Sequence, residues 1–201
     1  TIFYRDILDR FKVKNTDLMR LLMKYIIRNH SQEFSIYKFN NFAKSNEYKS
    51  STSVVQKYSK ILEEVFFAFF VDAKYKSIKK QTAKSRKEYV IDQAFWNYYN
   101  IEQDKGRTLE NLIFIELKRR GKKIFYYGDG FECDFITEDE IIQVTYSLDE
   151  SSEKRELRGL TEGLKRTKGK RGIILTYDQE DEIRINRRKI TVMPVWKWLL
   201  K

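Results

Sequence analysis

Asp134 and Gln143 stand on two neighbouring runs that alternate apolar and polar residues. These are Phe131-Glu132-Cys133-Asp134-Phe135-Ile136 and Ile141-Ile142-Gln143-Val144-Thr145-Tyr146, joined by the polar turn Thr137-Glu138-Asp139-Glu140. Alternation with period two predicts a pair of strands. A carboxylate and an amide oxygen side by side are donors of the kind a hard divalent cation takes. Metal-assisted phosphodiester hydrolysis would also use a cation near the metal-bound water to offset developing charge. The second strand reads Gln143-Val144-Thr145, which keeps an oxygen donor and carries no cation.

Other chemistries are thinly provided for. The single Cys133 excludes an internal disulfide and a cysteine zinc cluster, and its place in an apolar run predicts a small core residue. The single His30 leaves no multi-histidine metal site, and a Ser-His-Asp triad only through His30 itself. It falls at a helix end, where a capping or surface role is expected. The longest apolar run, residues 65–71, is too short to span a bilayer. Without a signal peptide or disulfide framework, a cytoplasmic, non-membrane protein is expected. The formal net charge of +11 is uneven: residues 1–100 carry 19 Lys+Arg against 10 Asp+Glu, and residues 101–201 carry 21 against 19. A basic half argues for a polyanion, most often nucleic acid.

The elements that must carry these residues fall into two groups. In residues 1–100, caps at Asn15, Ser35 and Ser51 precede three amphipathic helices, over about 15–29, 35–42 and 51–66. Two strand-like runs follow, 67–75 and 88–91, around the loop 76–87, which holds six basic residues and no acid. Three helices and a basic-tipped hairpin is the order of a winged helix-turn-helix, which reads DNA with its third helix and tracks phosphates with its wing. Lys57 and Lys60 are then the groove contacts, after Ser51, Thr52 and Ser53, and Lys79, Lys80, Lys84, Arg86 and Lys87 the wing contacts. The polar, glycine-tipped stretch 100–106 marks a boundary, giving domains 1–100 and 101–201.

Beyond it the order is helix (107–120), strand (123–127), the two strands already described, a helix capped by Ser151 and running to about Lys168, and the apolar strand 172–177. Two short strands and a helix opened by Pro194 close the chain. Helix, three strands, helix, strand is an α/β sandwich, so the expected fold class is α+β with an αβββαβ second domain.

This second half resembles the PD-(D/E)XK nuclease superfamily. The resemblance matches Glu110 to the helix acid, Asp134 to the strand-two acid, and Gln143-Val144-Thr145 to the acid-x-Lys of strand three. It implies Glu110, Asp134 and Gln143 as catalytic and metal-binding residues, with Mg²⁺ as the metal. Thr145 departs from the pattern, and Lys154, Arg155 or Lys165 on the next helix would have to supply the charge.

The chain as a whole is similar to the C-terminal region of prokaryotic and archaeal-type AAA ATPases. The similarity rests on Tyr89-Val90-Ile91-Asp92, Leu109-Glu110-Asn111, Glu132-Cys133-Asp134-Phe135, Ile142-Gln143-Val144 with Tyr146-Ser147-Leu148, Lys154-Arg155-Glu156-Leu157, and 194–200. It implies an N-terminal ATPase domain as partner in the full-length protein. No G-x-x-x-x-G-K-[ST] occurs here, and with Thr1 in place of Met a fragment is expected. The expected function is a DNA-binding, nuclease-like region, weakly active or inactive. An active Mg²⁺-dependent endonuclease with a displaced lysine and a protein-interaction module regulating an ATPase remain as alternatives.

Overall fold

Three polar side chains set the start of the first three α-helices. Asn15 Oδ1 accepts from Leu18 N–H at 3.0 Å, Ser35 Oγ from Lys38 N–H at 3.3 Å, and Ser51 Oγ from Val54 N–H at 3.3 Å. Each satisfies one of the donors that a helix start leaves unpaired. In this computed structural model they open α1 (Thr16–Arg28), α2 (Ile36–Ser45) and α3 (Thr52–Glu64), after a wide π-type helical segment Ile2–Asp9. The structure describes residues 2–75, 77–99, 102, 104–128, 130–167, 171–185 and 188–201. Lys76 of the expected wing, Asn100, Ile101 and Gln103 of the expected boundary, and Lys168 at an expected helix end lie outside them.

The fold is α+β, in two units: Thr1–Val71 with Ser85–Gln103, and Asp72–Lys84 with Asp104–Lys201. In the first, β1 (Gln32–Phe34), β3 (Arg86–Val90) and β2 (Ala68–Val71) form an antiparallel sheet in the order β1-β3-β2. Leu18, Leu22 and Ile26 of α1, Phe39 of α2 and Val55 and Leu62 of α3 are fully buried in one core with Ala68 and Val90. Burying each aliphatic side chain of this size contributes about 1.5–3 kcal/mol. Trp96, on α5 (Ala94–Tyr98), closes the core. Its Nε1 donates to the Ile27 carbonyl at 3.0 Å and its ring packs on His30, centroids 4.2 Å apart. His30 is therefore a buried residue at the end of α1, with Nδ1 2.8 Å from that carbonyl, and not a surface one.

Two differences from the sequence reading stand out. Strand β1 was not expected. The basic loop contains a short helix, α4 (Ile78–Ala83), which groups with the second unit.

The second unit is built from α6 (Lys105–Arg119), β4 (Phe125–Gly128), β5 (Glu132–Ile136), β6 (Glu140–Val144), α7 (Glu153–Arg166), β7 (Arg171–Thr176), β8 (Asp181–Ile185), β9 (Arg188–Pro194) and α8 (Val195–Leu199). Its six-stranded sheet has the order β4-β5-β6-β7-β9-β8. Strands β4, β5 and β6 are antiparallel neighbours, β6, β7 and β9 run parallel, and β8 returns antiparallel to β9. The wholly apolar centre of β7 follows from its two parallel neighbours. At the outer edge of β4, Lys74 N–H donates to the Tyr126 carbonyl at 2.8 Å, and Tyr126 N–H to the Asp72 carbonyl at 3.3 Å. Helix α7 lays Gly159, Leu160, Gly163 and Leu164 on the sheet, and a Cβ on Gly163 would meet Ile141 Cγ2 at 3.0 Å. Cys133 is fully buried beneath it, in the core role expected.

Candidate functional site

Strands β5 and β6 pair at Phe135↔Ile142 and Ile136↔Ile141, and beyond that pair of rungs side chains take over the bonding. Asp134 Oδ2 accepts from Val144 N–H at 2.9 Å, and Gln143 Oε1 accepts from Asp134 N–H at 2.7 Å. Each polar side chain thus closes onto the backbone of the other strand. The Gln143 amide donates to the carboxylate of Glu156 at 2.7 Å and reaches the Glu132 carbonyl at 3.4 Å. Asp134, Gln143 and Glu156 are 6%, 2% and 3% exposed, so these bonds are made away from water, where leaving one unmade is costly.

Helix α7 reaches this cluster because Gly159 has no side chain. A Cβ there would stand 2.1 Å from the Glu132 carbonyl oxygen and 2.7 Å from Gln143 Nε2. The close approach brings Glu156, one turn earlier on the same face, onto Gln143. The start of α7 is fixed by a loop around Asp149. Its carboxylate accepts from Ser151 Oγ at 2.6 Å, Ser147 Oγ at 3.1 Å and Ser152 N–H at 3.1 Å. Those bonds, Ser151's foremost, lower its pKa to about 2. Thr145, where the metal-nuclease pattern wants lysine, donates its hydroxyl to the Ser147 carbonyl at 2.8 Å, a bond that shapes the same loop.

Arg155 covers the cluster. Its Nε and Nη2 donate to Glu156 Oε1 at 2.9 and 2.6 Å. The pKa of Glu156 is nevertheless raised, by burial first and the charge of Asp134 second, against the bonds from Arg155 and Gln143. Arg155 is 74% exposed, so water screens its attraction and desolvation of the carboxylate wins. The Arg155 pKa is raised by Glu156 first, with Asp134 and Glu132 adding to it.

Of the expected site residues, Asp134 and Gln143 are brought together, and Glu110 is buried on α6, a helix that packs on β6. Among the described residues, no group of three or more His, Cys, Asp or Glu side chains is arranged to hold a metal ion. The Gln143 oxygen, expected as a ligand, already accepts from Asp134 N–H. Of the cations weighed on the following helix, Arg155 is at the cluster, whereas Lys165 pairs with Glu162 on the surface. The sequence reading missed Glu156. The signal was the stripe Gly159, Leu160, Gly163 and Leu164, which Glu156 extends at helical spacing.

The expected nucleic-acid contacts divide between the units. Lys57 and Lys60 are exposed on α3 beside exposed Thr52 and Ser53. Lys79 and Lys80 are exposed on α4, and Lys84 is half-buried, in the second unit. Arg86 lies over the Phe70 ring at 4.6 Å and 3.6 Å from Glu63. Lys87 must be removed from the set: it is 1% exposed within the central strand of its sheet and offers no ammonium to a phosphate.

A family model described as a domain of unknown function, DUF8612, matches residues 1–105, and the chain belongs to that family. The uncharacterized protein MJ1544 of Methanocaldococcus jannaschii is 32% identical over 214 aligned residues, covering 99% of this chain and 48% of the relative. An uncharacterized protein of Haemophilus influenzae is 28% identical over 210 aligned residues, covering all of this chain and 50% of the relative. The chain therefore spans about half the length of these curated relatives. No solved structure matches it significantly. No helix among the described residues is long and apolar enough to cross a membrane.

Proposed function

We propose that the chain is a nucleic-acid-binding, nuclease-like C-terminal region of a cytoplasmic AAA-type ATPase, with little or no cutting activity of its own. The observation that carries this reading is the use made of Gln143. In a metal-dependent nuclease of the PD-(D/E)XK kind its position supplies a ligand and the residue two on supplies a lysine. Here the amide bridges Asp134 N–H, Glu132 C=O and Glu156, and Thr145 bonds to the Ser147 carbonyl. On this reading a nuclease-type scaffold is kept while its reactive positions serve the fold.

Support for nucleic-acid contact comes from the first unit. The order α1-β1-α2-α3-β2-β3, with its three-stranded sheet, supports a winged-helix reading, and α3 presents Thr52, Ser53, Lys57 and Lys60 to solvent. The curated relatives are about twice as long as this chain, which leaves room for an ATPase domain.

Binding to random duplex DNA across a salt series tests the first part: affinity falls steeply as salt rises if phosphates are held, and flat or absent binding sinks it. A second reading, an active Mg²⁺-dependent endonuclease, is favoured by Arg155, a cation at the cluster where lysine is missing. Plasmid cleavage with Mg²⁺ or Mn²⁺ decides between them. Cleavage by the wild type that Asp134→Ala abolishes supports the enzyme; no cleavage by either supports the inactive form.

A further inference from the structure

We propose that the second unit holds a phosphate-binding cleft of its own, at the end of the sheet where β6 and β7 begin. The cleft has a volume of about 580 Å³, and Arg120, Lys122, Arg171, Lys189 and Lys201 line it. Two carboxylates, Asp139 and Glu140, share its walls, leaving the lining positive. Composition does not account for this concentration, because residues 101–201 carry only two more basic than acidic residues. Further acids gather at the other end of the unit. Asp149 and Glu150 follow β6, and Asp178, Glu180 and Asp181 follow β7, at the opposite ends of these parallel strands.

The cations are held in two ways suited to an exchangeable anion. Arg120 is pre-set. Its guanidinium lies 4.1 Å over the Trp198 ring, donates to the Trp198 carbonyl at 3.1 Å and bonds Glu116 at 2.8 Å. The others are loosely engaged. Arg171 pairs with Glu140 at 2.7 Å yet is 76% exposed, and Lys189 pairs with Glu182 yet is 61% exposed. Lys122 pairs with Asp139 at 2.8 Å across the mouth. Exposed pairs of this kind contribute little, so a phosphate can replace their carboxylates at small cost. The Lys201 ammonium lies 3.8 Å from Met193 Sδ, a weak acceptor. Thr191 adds a hydroxyl to the wall.

The ligand chemistry is the phosphate group, from a nucleic-acid backbone or a free polyphosphate. The duplex arm of the test rests on the nucleic-acid reading above; the polyphosphate arm does not. The full chain is compared with a cleft variant (Lys122→Gln, Lys189→Gln, Lys201→Gln), with Arg171→Gln alone, and with an α3 variant (Lys57→Gln, Lys60→Gln). All these side chains are at least partly exposed, and circular dichroism checks each fold. Binding of a 20-base-pair duplex is followed across a salt series, and binding of inorganic tripolyphosphate by calorimetry.

If the cleft holds backbone phosphate, the cleft variant binds duplex about tenfold more weakly at moderate salt, with a log-log salt slope shallower by about 2–3. Arg171→Gln moves both in the same direction by less. If the source is free polyphosphate, duplex binding is unchanged and tripolyphosphate binding is lost in the cleft variant. Unchanged binding of both probes by the cleft variant and by Arg171→Gln overturns the proposal. In that outcome the α3 variant separates the two readings: a loss of duplex binding there leaves the proposed function standing, and no duplex binding by any form removes it as well.

Discussion

An amide at position 143 does what neither a carboxylate nor an alcohol can do there: it accepts from one backbone and donates to a buried acid. Gln143→Glu would still accept from Asp134 N–H but would set a second charge against the Glu156 carboxylate, now 2.7 Å from the amide nitrogen. The variant is expected to lose about 1–3 kcal/mol at neutral pH, with part of the loss recovered near pH 5 as the pair takes up a proton. Urea unfolding at the two pH values measures both. Glu88 is the other buried acid of consequence. It is fully buried on β3, and neither carboxylate oxygen has a hydrogen-bond partner among the described residues. Burial raises its pKa well above the ordinary 4.5, and its charge in turn helps raise that of Tyr25, whose phenol is lifted mainly by burial. Because the folded form holds the Glu88 proton more tightly than the unfolded form, stability falls as pH rises from about 4.5 through the folded pKa. Glu88→Met is expected to raise stability at pH 7–8 by about 1–3 kcal/mol and to flatten that slope. Chemical denaturation across pH 5–8 checks it.

Helix α7 shows how an element sets a site. Its approach to β5 and β6 depends on Gly159, so Gly159→Ala must push the helix off the Glu132 carbonyl and disturb the Gln143 bonds. Overpacking of this kind costs about 1–3 kcal/mol or more. A fall in urea midpoint of that size is expected, whereas Gly106→Ala, with 3.4 Å to its nearest neighbour, should cost far less. The elements were legible in the sequence to different degrees. Asn15, Ser35 and Ser51 announce their helices because capping is local chemistry, and the apolar run of β7 announces a strand covered on both sides. Strand β1 is three residues long, too short for alternation to show, and α4 carries no apolar face to give it a period. At the cluster, Asp134 and Gln143 could be paired from spacing alone. Glu156 could not, since a charged residue on a charged helix looks solvated until the two glycines are read as the buried face. Lys87 was misplaced because the basic run was read as loop through residue 87, whereas β3 begins at Arg86 and carries Lys87 into the buried sheet.

Chain order and spatial units do not coincide in this protein. The segment Asp72–Lys84 lies between two stretches of the first unit and belongs to the second, where Asp72 and Lys74 complete the hydrogen bonding of β4. The far edge of the sheet, β8, is shielded differently, by the charges of Asp181, Glu182 and Arg184. A fragment of residues 104–201 would carry a bare β4 edge with the Tyr126 N–H and carbonyl unpaired. Light scattering is expected to show a mass for it that grows with concentration, while the full chain stays constant; a constant monomeric mass for the fragment would mean the edge is protected otherwise. The bridge at β4 also bears on inheritance. Recombination that moved either unit as a cassette through a single crossover would strand part of the other, so the two are expected to pass between genes together.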